Sequence, residues 1–263
     1  MRPFRATTEQ FHRDGYVVGP IVLIGDRLRE VGEAVDRIIS GRCERASQLL
    51  MFRRDQEIGS AQVHVVGPWR AEPALRAVAF DAVIVRLACE LIGASSVRLF
   101  RDQLFVKVPH SGTSVPWHQD YSDWTHTTPS RHVTCWVALD DATEANGCLR
   151  YVSGSHRGPL LPKITSEDDM SSALARLPVT MRSTFEQSSV AVSAGGCVFH
   201  HCLTVHSSSG NHTATIRRAY AITYMHPDTR STTARRPPVP GAAPLAAGTR
   251  LDGKMFPRLS PDQ

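Results

Sequence analysis

The sequence predicts a mainly β protein of the α+β class, in which N-terminal helices brace a sandwich or barrel of short strands. Segments with helical periodicity lie before residue 96, and short segments rich in Val, Leu and Phe follow it. Turn residues such as Asn146-Gly147 and Gly195-Gly196 separate these later segments. Many short strands with regular turns are typical of a sandwich or barrel, and helices followed by strands argue against a βαβ fold.

The N-terminal elements follow from apolar spacing and from glycine stops. Thr7 or Thr8 can cap a helix through residue 14, and a strand is expected at 16–22. Apolar residues spaced for one helical face predict a helix over 27–39, which Gly41 ends. The same pattern predicts one helix over 73–92, which Gly93 closes.

The strands of the core are expected at 97–108, 132–139, 148–152, 189–193, 197–201, 204–207 and 218–225. Residues 158–187 are polar and mixed, and could form a lid with some helix near 168–177. Residues 229–248 are rich in proline and predict a loop or tail. We therefore expect a single domain over 1–263, with helices and a strand in 1–95, a jelly-roll core in 96–228 and a loop or tail in 229–263.

Composition narrows the classes of function. The chain has 263 residues, of which 41% are hydrophobic and 21% charged, which is ordinary for a globular protein. The net charge of +5 is compatible with an anionic small-molecule substrate, but the basic residues are scattered, which does not favour a nucleic-acid partner. Six cysteines without a C-x-x-C pair predict reduced thiols in the cytoplasm. No apolar segment resembles a signal peptide or approaches the ~20 residues of a membrane span, so no membrane partner is expected. The oligomeric state is left open.

The first chemical signal is the H-x-D motif formed by His118 and Asp120. In a strand, residues two apart point to the same side, so an imidazole nitrogen and a carboxylate oxygen could converge. A mixed nitrogen and oxygen triad with open positions suits iron(II). Alone, the motif is weak, because a surface pair also explains it.

Several ordered motifs surround this pair. They are RDQLFVKVP at 101–109, VPWHQD at 115–120, CWVALDD at 135–141, NGCL at 146–149, SGSH at 153–156 and HSSSGN at 206–211, with FHRDGY at 11–16. Arg217 follows His206 by eleven residues. This arrangement resembles the phytanoyl-CoA dioxygenase family of Fe(II)/2-oxoglutarate-dependent oxygenases from about residue 10 to residue 225.

The resemblance implies a double-stranded β-helix, or jelly roll, that uses Fe(II), 2-oxoglutarate and O2. It implies that His118, Asp120 and His206 are the iron ligands. Arg217 would pair with the distal carboxylate of 2-oxoglutarate, a role for which the planar guanidinium is suited. The other residues implied to contact the cosubstrate are Ser208, Gln103, Trp136 and, as a weaker candidate, Thr134.

Each assignment has an alternative. Arg217 lies beside Arg218, and strand alternation sends only one of them inward; the family spacing selects Arg217. Lys107 could form a salt bridge at the barrel rim and is given no role in the chemistry. His200 and His201 are interpreted as packing residues or as residues behind the ligands.

Three residues after the H-x-D motif are candidates for walls of the substrate site, namely Tyr121, Trp124 and His126. An aromatic turn on the surface is the alternative.

The reaction implied is hydroxylation of an unactivated C–H bond in a small metabolite of bacterial specialised metabolism, with release of succinate and CO2. Desaturation, epimerisation or cyclisation by the same oxidant are alternatives. Asp120 argues against halogenation, because halogenases of this kind have Gly or Ala there. A catalytically silent metal-binding jelly roll and a zinc hydrolase on the same three ligands are the alternatives from other classes. The substrate, including any CoA or carrier conjugate, is left open.

Overall fold

Two antiparallel sheets carry the fold in the computed structural model, which describes residues 5–54, 62–161, 187–234, 237 and 239–262. The major sheet runs β1-β10-β7-β12-β4-β3-β2, with β14 added to β4. Its strands are β1 Tyr16–Ile21, β2 Met51–Arg54, β3 Gln62–Val66, β4 Val97–Lys107, β7 His132–Ala138, β10 Gly196–His201, β12 Arg217–Met225 and β14 Arg258–Leu259. The minor sheet runs β5-β11-β8-β9 and consists of β5 Val115–His118, β8 Leu149–Val152, β9 Gln187–Val190 and β11 His206–Ser208. A two-stranded ribbon pairs β6 Thr127–Thr128 with β13 Arg230–Ser231.

The two sheets face each other, which confirms the predicted jelly roll. Alternating residues of the major sheet point inward and meet side chains of the minor sheet. Trp136 and Ala221 of the major sheet, for example, lie in one buried cluster with Leu149 and Tyr151 of the minor sheet. The space between the sheets therefore belongs partly to this core and partly to the site described below.

Five helices of the described chain brace the opposite face of the major sheet. They are α1 Arg5–Asp14, α2 Gly25–Ile39, α3 Pro68–Ala71, α4 Pro73–Ala79 and α5 Ala82–Ile92. In α2 the buried residues Val31, Ala34, Val35 and Ile38 recur at three- and four-residue spacing and join the largest hydrophobic cluster. The predicted brace of N-terminal helices is therefore confirmed.

The predicted single helix over 73–92 is wrong, because two helices occupy this stretch. The first ends at Ala79, and Asp81 then starts the second by accepting hydrogen bonds from the backbone N–H groups of Val83 and Ile84. An aspartate with extended backbone and a side chain facing the first turn is a strong N-cap. The apolar pattern continues across the break, which is why periodicity alone missed it.

Two strands of the major sheet, β2 and β3, were not predicted. The described part of the C-terminal stretch also has more structure than the expected loop. Val239, Leu251 and Phe256 are buried in a cluster with Phe100 and Trp124, and β14 pairs with β4. The sequence did not indicate this packing, because the stretch is rich in proline and glycine and its apolar residues follow neither the helical nor the strand period.

The predicted lid falls mostly on residues 162–186, which lie outside the described residues, as does its helix near 168–177. Within the described chain, every helix is too short or too polar to cross a lipid bilayer.

Candidate active site

His118 and His206 face each other across two paired strands of the minor sheet. They are register partners in the β5–β11 pair, and their ring centroids lie 4.2 Å apart. In each imidazole Nδ1 donates to the backbone carbonyl two residues earlier, to Pro116 at 2.8 Å and to Thr204 at 2.9 Å. The proton on Nδ1 leaves Nε2 with a lone pair in both rings, which is the form of histidine that binds metals.

Asp120 completes the group from a short 3-10 turn that follows β5 directly. Its Oδ1 lies 3.7 Å from Nε2 of His118 and 3.9 Å from Nε2 of His206. These separations are too long for hydrogen bonds but fit atoms arranged around one cation. Among the described residues, His118, Asp120 and His206 form the group of three His, Cys, Asp or Glu side chains whose possible ligand atoms all lie within 4.8 Å of one another. The convergence predicted for the H-x-D motif is thus observed, although Asp120 lies just beyond the strand.

The protonation of the group suits a metal. Burial raises the pKa of Asp120, but the neighbouring imidazoles of His118, His200 and His206 outweigh it and hold that pKa well below its usual value. Burial, followed by the charges of the neighbouring imidazoles, lowers the pKa of His206 well below its usual value. Burial also lowers the pKa of His118, but the carboxylate of Asp120 reverses this and the net shift is upward. The site therefore offers an ionised carboxylate and at least one neutral imidazole at neutral pH.

Arg217, at the start of β12, is a buried cation in the same cavity. Its side chain is 2% exposed, and burial lowers its pKa to about 10. Its Nε has no hydrogen-bond partner among the described residues, and the guanidinium carbon lies 5.6 Å from the centre of the Trp136 ring. Burying a guanidinium N–H group without an acceptor is costly, so this geometry indicates a place for an anion.

The neighbouring Arg218 points away from the cavity, as alternation predicted. It donates to Asp140 in a bidentate pair, with Nη2 2.8 Å from Oδ1, and its Nη1 lies 2.9 Å from Asp36 on α2. Arg218 therefore ties the sheet to its helical brace, while Arg217 faces the site.

Lys107 is not at the rim, contrary to the expectation. Its side chain is fully buried in the cavity wall, and Arg217 is its register partner on β12. Its Nζ donates to the backbone oxygen of Ser208 at 3.2 Å, to Ser208 Oγ at 2.9 Å and to the backbone oxygen of Ser209. This places a second positive charge beside Arg217, a feature that sequence reasoning missed because strand periodicity does not show what a lysine can reach.

Ser208 lies where the sequence predicts, but its hydroxyl is already engaged. Oγ donates to the backbone oxygen of Gly147 at 2.8 Å while it accepts from Lys107. Gly147 has φ +83°, and a Cβ there would lie 2.3 Å from the backbone oxygen of Ser209. Only glycine therefore lets these two loops approach closely enough for the Ser208 contact.

Gln103, Trp136 and Thr134 also reach the cavity. The Oε1 atom of Gln103 accepts from Arg101 at 2.6 Å and contacts Nε2 of His64 at 2.9 Å. Thr134 Oγ1 donates to Asp120 Oδ2 at 3.0 Å, so it contacts a predicted metal ligand directly.

The three expected substrate walls are placed elsewhere. Trp124 is 2% exposed and packs edge-on against Phe100, so its ring completes a hydrophobic cluster instead of lining the cavity. Tyr121 packs against the same cluster and donates its hydroxyl to the backbone oxygen of Thr127. His126 lies just before β6 and is not among the lining residues.

One cavity unites the site. It encloses about 550 Å³ of empty space, including its open mouth, and all eight residues expected to hold the metal and the cosubstrate line it. The other lining residues are Gln62, Phe105, Lys107, Val115, Leu149, His200, Ser207 and Ala221. The fold and site together define a jelly-roll protein with a two-histidine, one-carboxylate centre and a buried arginine beside it.

Comparison with known proteins names the family. The family model for phytanoyl-CoA dioxygenase (PhyH) matches residues 11–219, and the chain belongs to this family. A phytanoyl-CoA dioxygenase domain-containing protein 1 homolog of Caenorhabditis elegans is 30% identical over 161 residues, which cover 59% of this chain and 55% of that protein. The chain thus spans about half the length of this relative.

Two further proteins match over most of their length. L-proline trans-4-hydroxylase of Streptomyces griseoviridis is 28% identical over 235 residues, which cover 82% of this chain and 84% of that enzyme. The crystal structure of SnoN, a non-heme alpha-ketoglutarate-dependent epimerase from nogalamycin biosynthesis, superposes with a TM-score of 0.76 at 25% identity, covering 97% of this chain and 98% of SnoN.

Proposed function

We propose that the protein is an Fe(II)/2-oxoglutarate-dependent dioxygenase that hydroxylates an unactivated C–H bond of a small-molecule metabolite and releases succinate and CO2. One observation carries the proposal: a triad of two imidazoles and a carboxylate shares a cavity with a buried guanidinium whose Nε has no hydrogen-bond partner among the described residues. The triad fits a divalent iron ion, and the guanidinium of Arg217 fits the distal carboxylate of a diacid.

The donor set fits Fe(II). Two imidazole nitrogens and one carboxylate oxygen match the facial triad of non-heme iron oxygenases, which leaves coordination positions for further ligands. Iron with bound 2-oxoglutarate activates O2 for the attack on a C–H bond. The task of the protein is to hold His118, Asp120 and His206 in place before the metal arrives, through the Nδ1 hydrogen bonds of the histidines and the donors on Asp120 Oδ2.

The cavity also fits 2-oxoglutarate. Its distal carboxylate would pair with Arg217, whose guanidinium lies over Trp136 and is thereby oriented. The ammonium of Lys107 adds positive charge from the cavity wall and holds Ser208 in place. Because the hydroxyl of Ser208 donates to Gly147, it would have to turn its proton toward the diacid in order to donate to a carboxylate oxygen.

Apolar side chains complete the cavity around the charged groups. Phe105, Leu149 and Trp136 line it together with the triad and Arg217. Such walls exclude water and strengthen the pairing of the cosubstrate with its cations. The role of these residues is thus to keep the reacting centre dry.

The two relatives that match over most of their length support a small-molecule substrate in bacterial specialised metabolism, since one is named for proline and the other for nogalamycin biosynthesis. SnoN is named an epimerase, and this favours epimerisation as the second candidate reaction. Product analysis with a candidate substrate would separate an added oxygen atom from an inverted centre.

We place the protein in a reducing compartment such as the cytoplasm. All six cysteines are buried free thiols, which supports this location.

The proposal is tested by measuring succinate formed from 2-oxoglutarate with Fe(II), O2 and ascorbate. Wild-type protein should produce succinate, and Asp120→Ala or His206→Ala should abolish it. Thr232→Ala, which removes a single exposed hydroxyl of a residue that does not line the cavity, is the control and should leave the rate unchanged. Equal succinate from the triad variants would refute the proposal, and absence of succinate in every sample with any 2-oxo acid would favour a silent metal-binding protein.

A further inference from the structure

A third imidazole, that of His200 on β10, lies directly behind the proposed metal ligands. Its side chain is buried, and its ring centroid is 4.4 Å from that of His206. Its Nε2 lies 3.2 Å from Asp120 Oδ2, whereas the Nε2 atoms of His118 and His206 lie near the other oxygen, Oδ1. His200 is thus placed to act on Asp120 and not on the cation.

The hydrogen bonds fix the tautomer of His200. An ionised carboxylate can only accept, so the proton lies on Nε2 and is donated to Asp120. Nδ1 is then an acceptor, and the hydroxyl of Tyr151 lies 3.0 Å from it. Tyr151 is fully buried and stacks on Tyr16 of β1, with ring centroids 4.4 Å apart and planes 9° from parallel.

This chain leaves Asp120 with two unlike oxygens. Oδ2 receives two hydrogen bonds, one from His200 and one from Thr134 at 3.0 Å. Oδ1 faces the Nε2 atoms of His118 and His206. An oxygen that already accepts two hydrogen bonds is a poor metal ligand, so the carboxylate presents only its other oxygen, Oδ1, to the cation.

We propose that His200 is a positioning residue which, with its tautomer set by Tyr151, holds Asp120 for coordination through Oδ1 alone. One-oxygen coordination keeps the position that a second carboxylate oxygen would take available for the diacid or O2. The inference rests on the proposed metal site and adds to it a residue that acts through Asp120.

Two substitutions of similar volume separate a hydrogen-bonding role from packing. In His200→Gln, the side-chain amide can reach the place of Nε2 and keep a donor toward Oδ2. In His200→Met, the volume is kept and the donor is lost. Tyr151→Phe removes only the hydroxyl and keeps the stacked ring, so it tests the tautomer with little risk to folding.

The measurement is the dissociation constant of Mn(II) from metal-free protein, by calorimetry or by electron paramagnetic resonance of free Mn(II). Partners that orient a metal ligand contribute about 10- to 100-fold to metal affinity. We therefore expect His200→Met to weaken Mn(II) binding by about that factor, His200→Gln to restore most of it, and Tyr151→Phe to fall between them. His201→Met, next in sequence and without contact to Asp120, should bind Mn(II) as wild type does.

Wild-type affinity in His200→Met, or equal weakening in the Gln and Met variants, would overturn the inference. Should His200→Met fail to fold by circular dichroism, wild-type affinity in Tyr151→Phe would overturn it alone. Asp120→Ala distinguishes a failure of the metal site from a failure of the role of His200. If Asp120→Ala binds Mn(II) with wild-type affinity, the proposed metal site is wrong. If Asp120→Ala loses Mn(II) binding while His200→Met keeps wild-type affinity, only the role of His200 is refuted.

Discussion

Arg217→Met should have opposite effects on the stability of the protein alone and on its binding of 2-oxoglutarate. Without cosubstrate, Arg217 is a buried cation whose pKa burial lowers to about 10, with an Nε that no described residue satisfies. Methionine fills similar space without a charge, and replacing buried ionic groups by apolar ones is often neutral or stabilising by about 1–4 kcal/mol. The melting temperature of the metal-free protein should therefore stay the same or rise.

Binding should respond in the other direction. Truncating one partner of a buried, hydrogen-bonded charge pair costs about 2–5 kcal/mol, which corresponds to roughly 30- to 4,000-fold in affinity. The remaining Lys107 acts through Ser208 and cannot replace the fork of a guanidinium. KM for 2-oxoglutarate should rise by at least the lower figure.

The assay is a thermal-shift titration with 2-oxoglutarate and Mn(II), followed by steady-state succinate formation. Arg218→Met is the matched control, because it changes the same side chain one residue along β12. It removes the pairs with Asp140 and Asp36, so the melting temperature should fall while KM stays unchanged. Were Arg217→Met to melt lower and still show the full 2-oxoglutarate shift, Arg217 would be structural and the reasoning wrong.

Contacts elsewhere in the fold give three more expected outcomes. Burial raises the pKa of Asp102 to about 7, although the hydrogen bond from Tyr220 opposes this shift. The stability that the protonated carboxyl contributes is therefore present below pH ~4 and is lost as the pH rises through 7. Urea unfolding of the wild type should show this decline with pH, and an equal decline in Asp102→Asn would contradict the prediction. Lys107→Met removes two hydrogen bonds to Ser208, each of which contributes about 1.5–3 kcal/mol. Steady-state kinetics should therefore show a higher KM for 2-oxoglutarate, and thermal unfolding should show a lower melting temperature. An unchanged KM would show that Lys107 has only a structural role. Asp81→Ala removes the N-cap of α5 and should lower the free energy of unfolding by about 1 kcal/mol with unchanged turnover, whereas lost turnover would show that the brace acts on the site.

Much of the fold was predictable because its signals are local. Strand β4 was expected at 97–108 and spans Val97–Lys107, since alternating burial along one strand leaves a period of two in the sequence. The two helices in 73–92 were merged, because an N-cap aspartate inside an apolar pattern resembles a polar position on the same helix. Strands β2 and β3 were missed because each is short and mixed in polarity.

The three proposed metal ligands were predictable from spacing and family resemblance, and their side chains converge as that prediction requires. His118 and His206 are separated by 88 residues in sequence and become register partners only through strand pairing, which no local pattern reports. Trp124 was misplaced because an aromatic residue after a metal motif suits a substrate wall and a core equally well.

The contacts behind the ligands could not be read from the sequence. His200 was interpreted as packing or as a residue behind the ligands, but its bond to one particular oxygen of Asp120 depends on side chains from two strands, β8 and β10, and from the turn after β5. Lys107 was assigned to the rim because burial of a lysine is rare and needs several acceptors to converge. Such convergence is a property of tertiary structure alone.

The most direct test of the central claim is a crystal structure of the protein grown anaerobically with Mn(II) and 2-oxoglutarate, with the metal located by anomalous scattering. We expect one manganese ion bound by Nε2 of His118, Nε2 of His206 and Oδ1 of Asp120, with the distal carboxylate of the diacid on Arg217. Manganese at another place, or 2-oxoglutarate bound away from Arg217, would contradict the account.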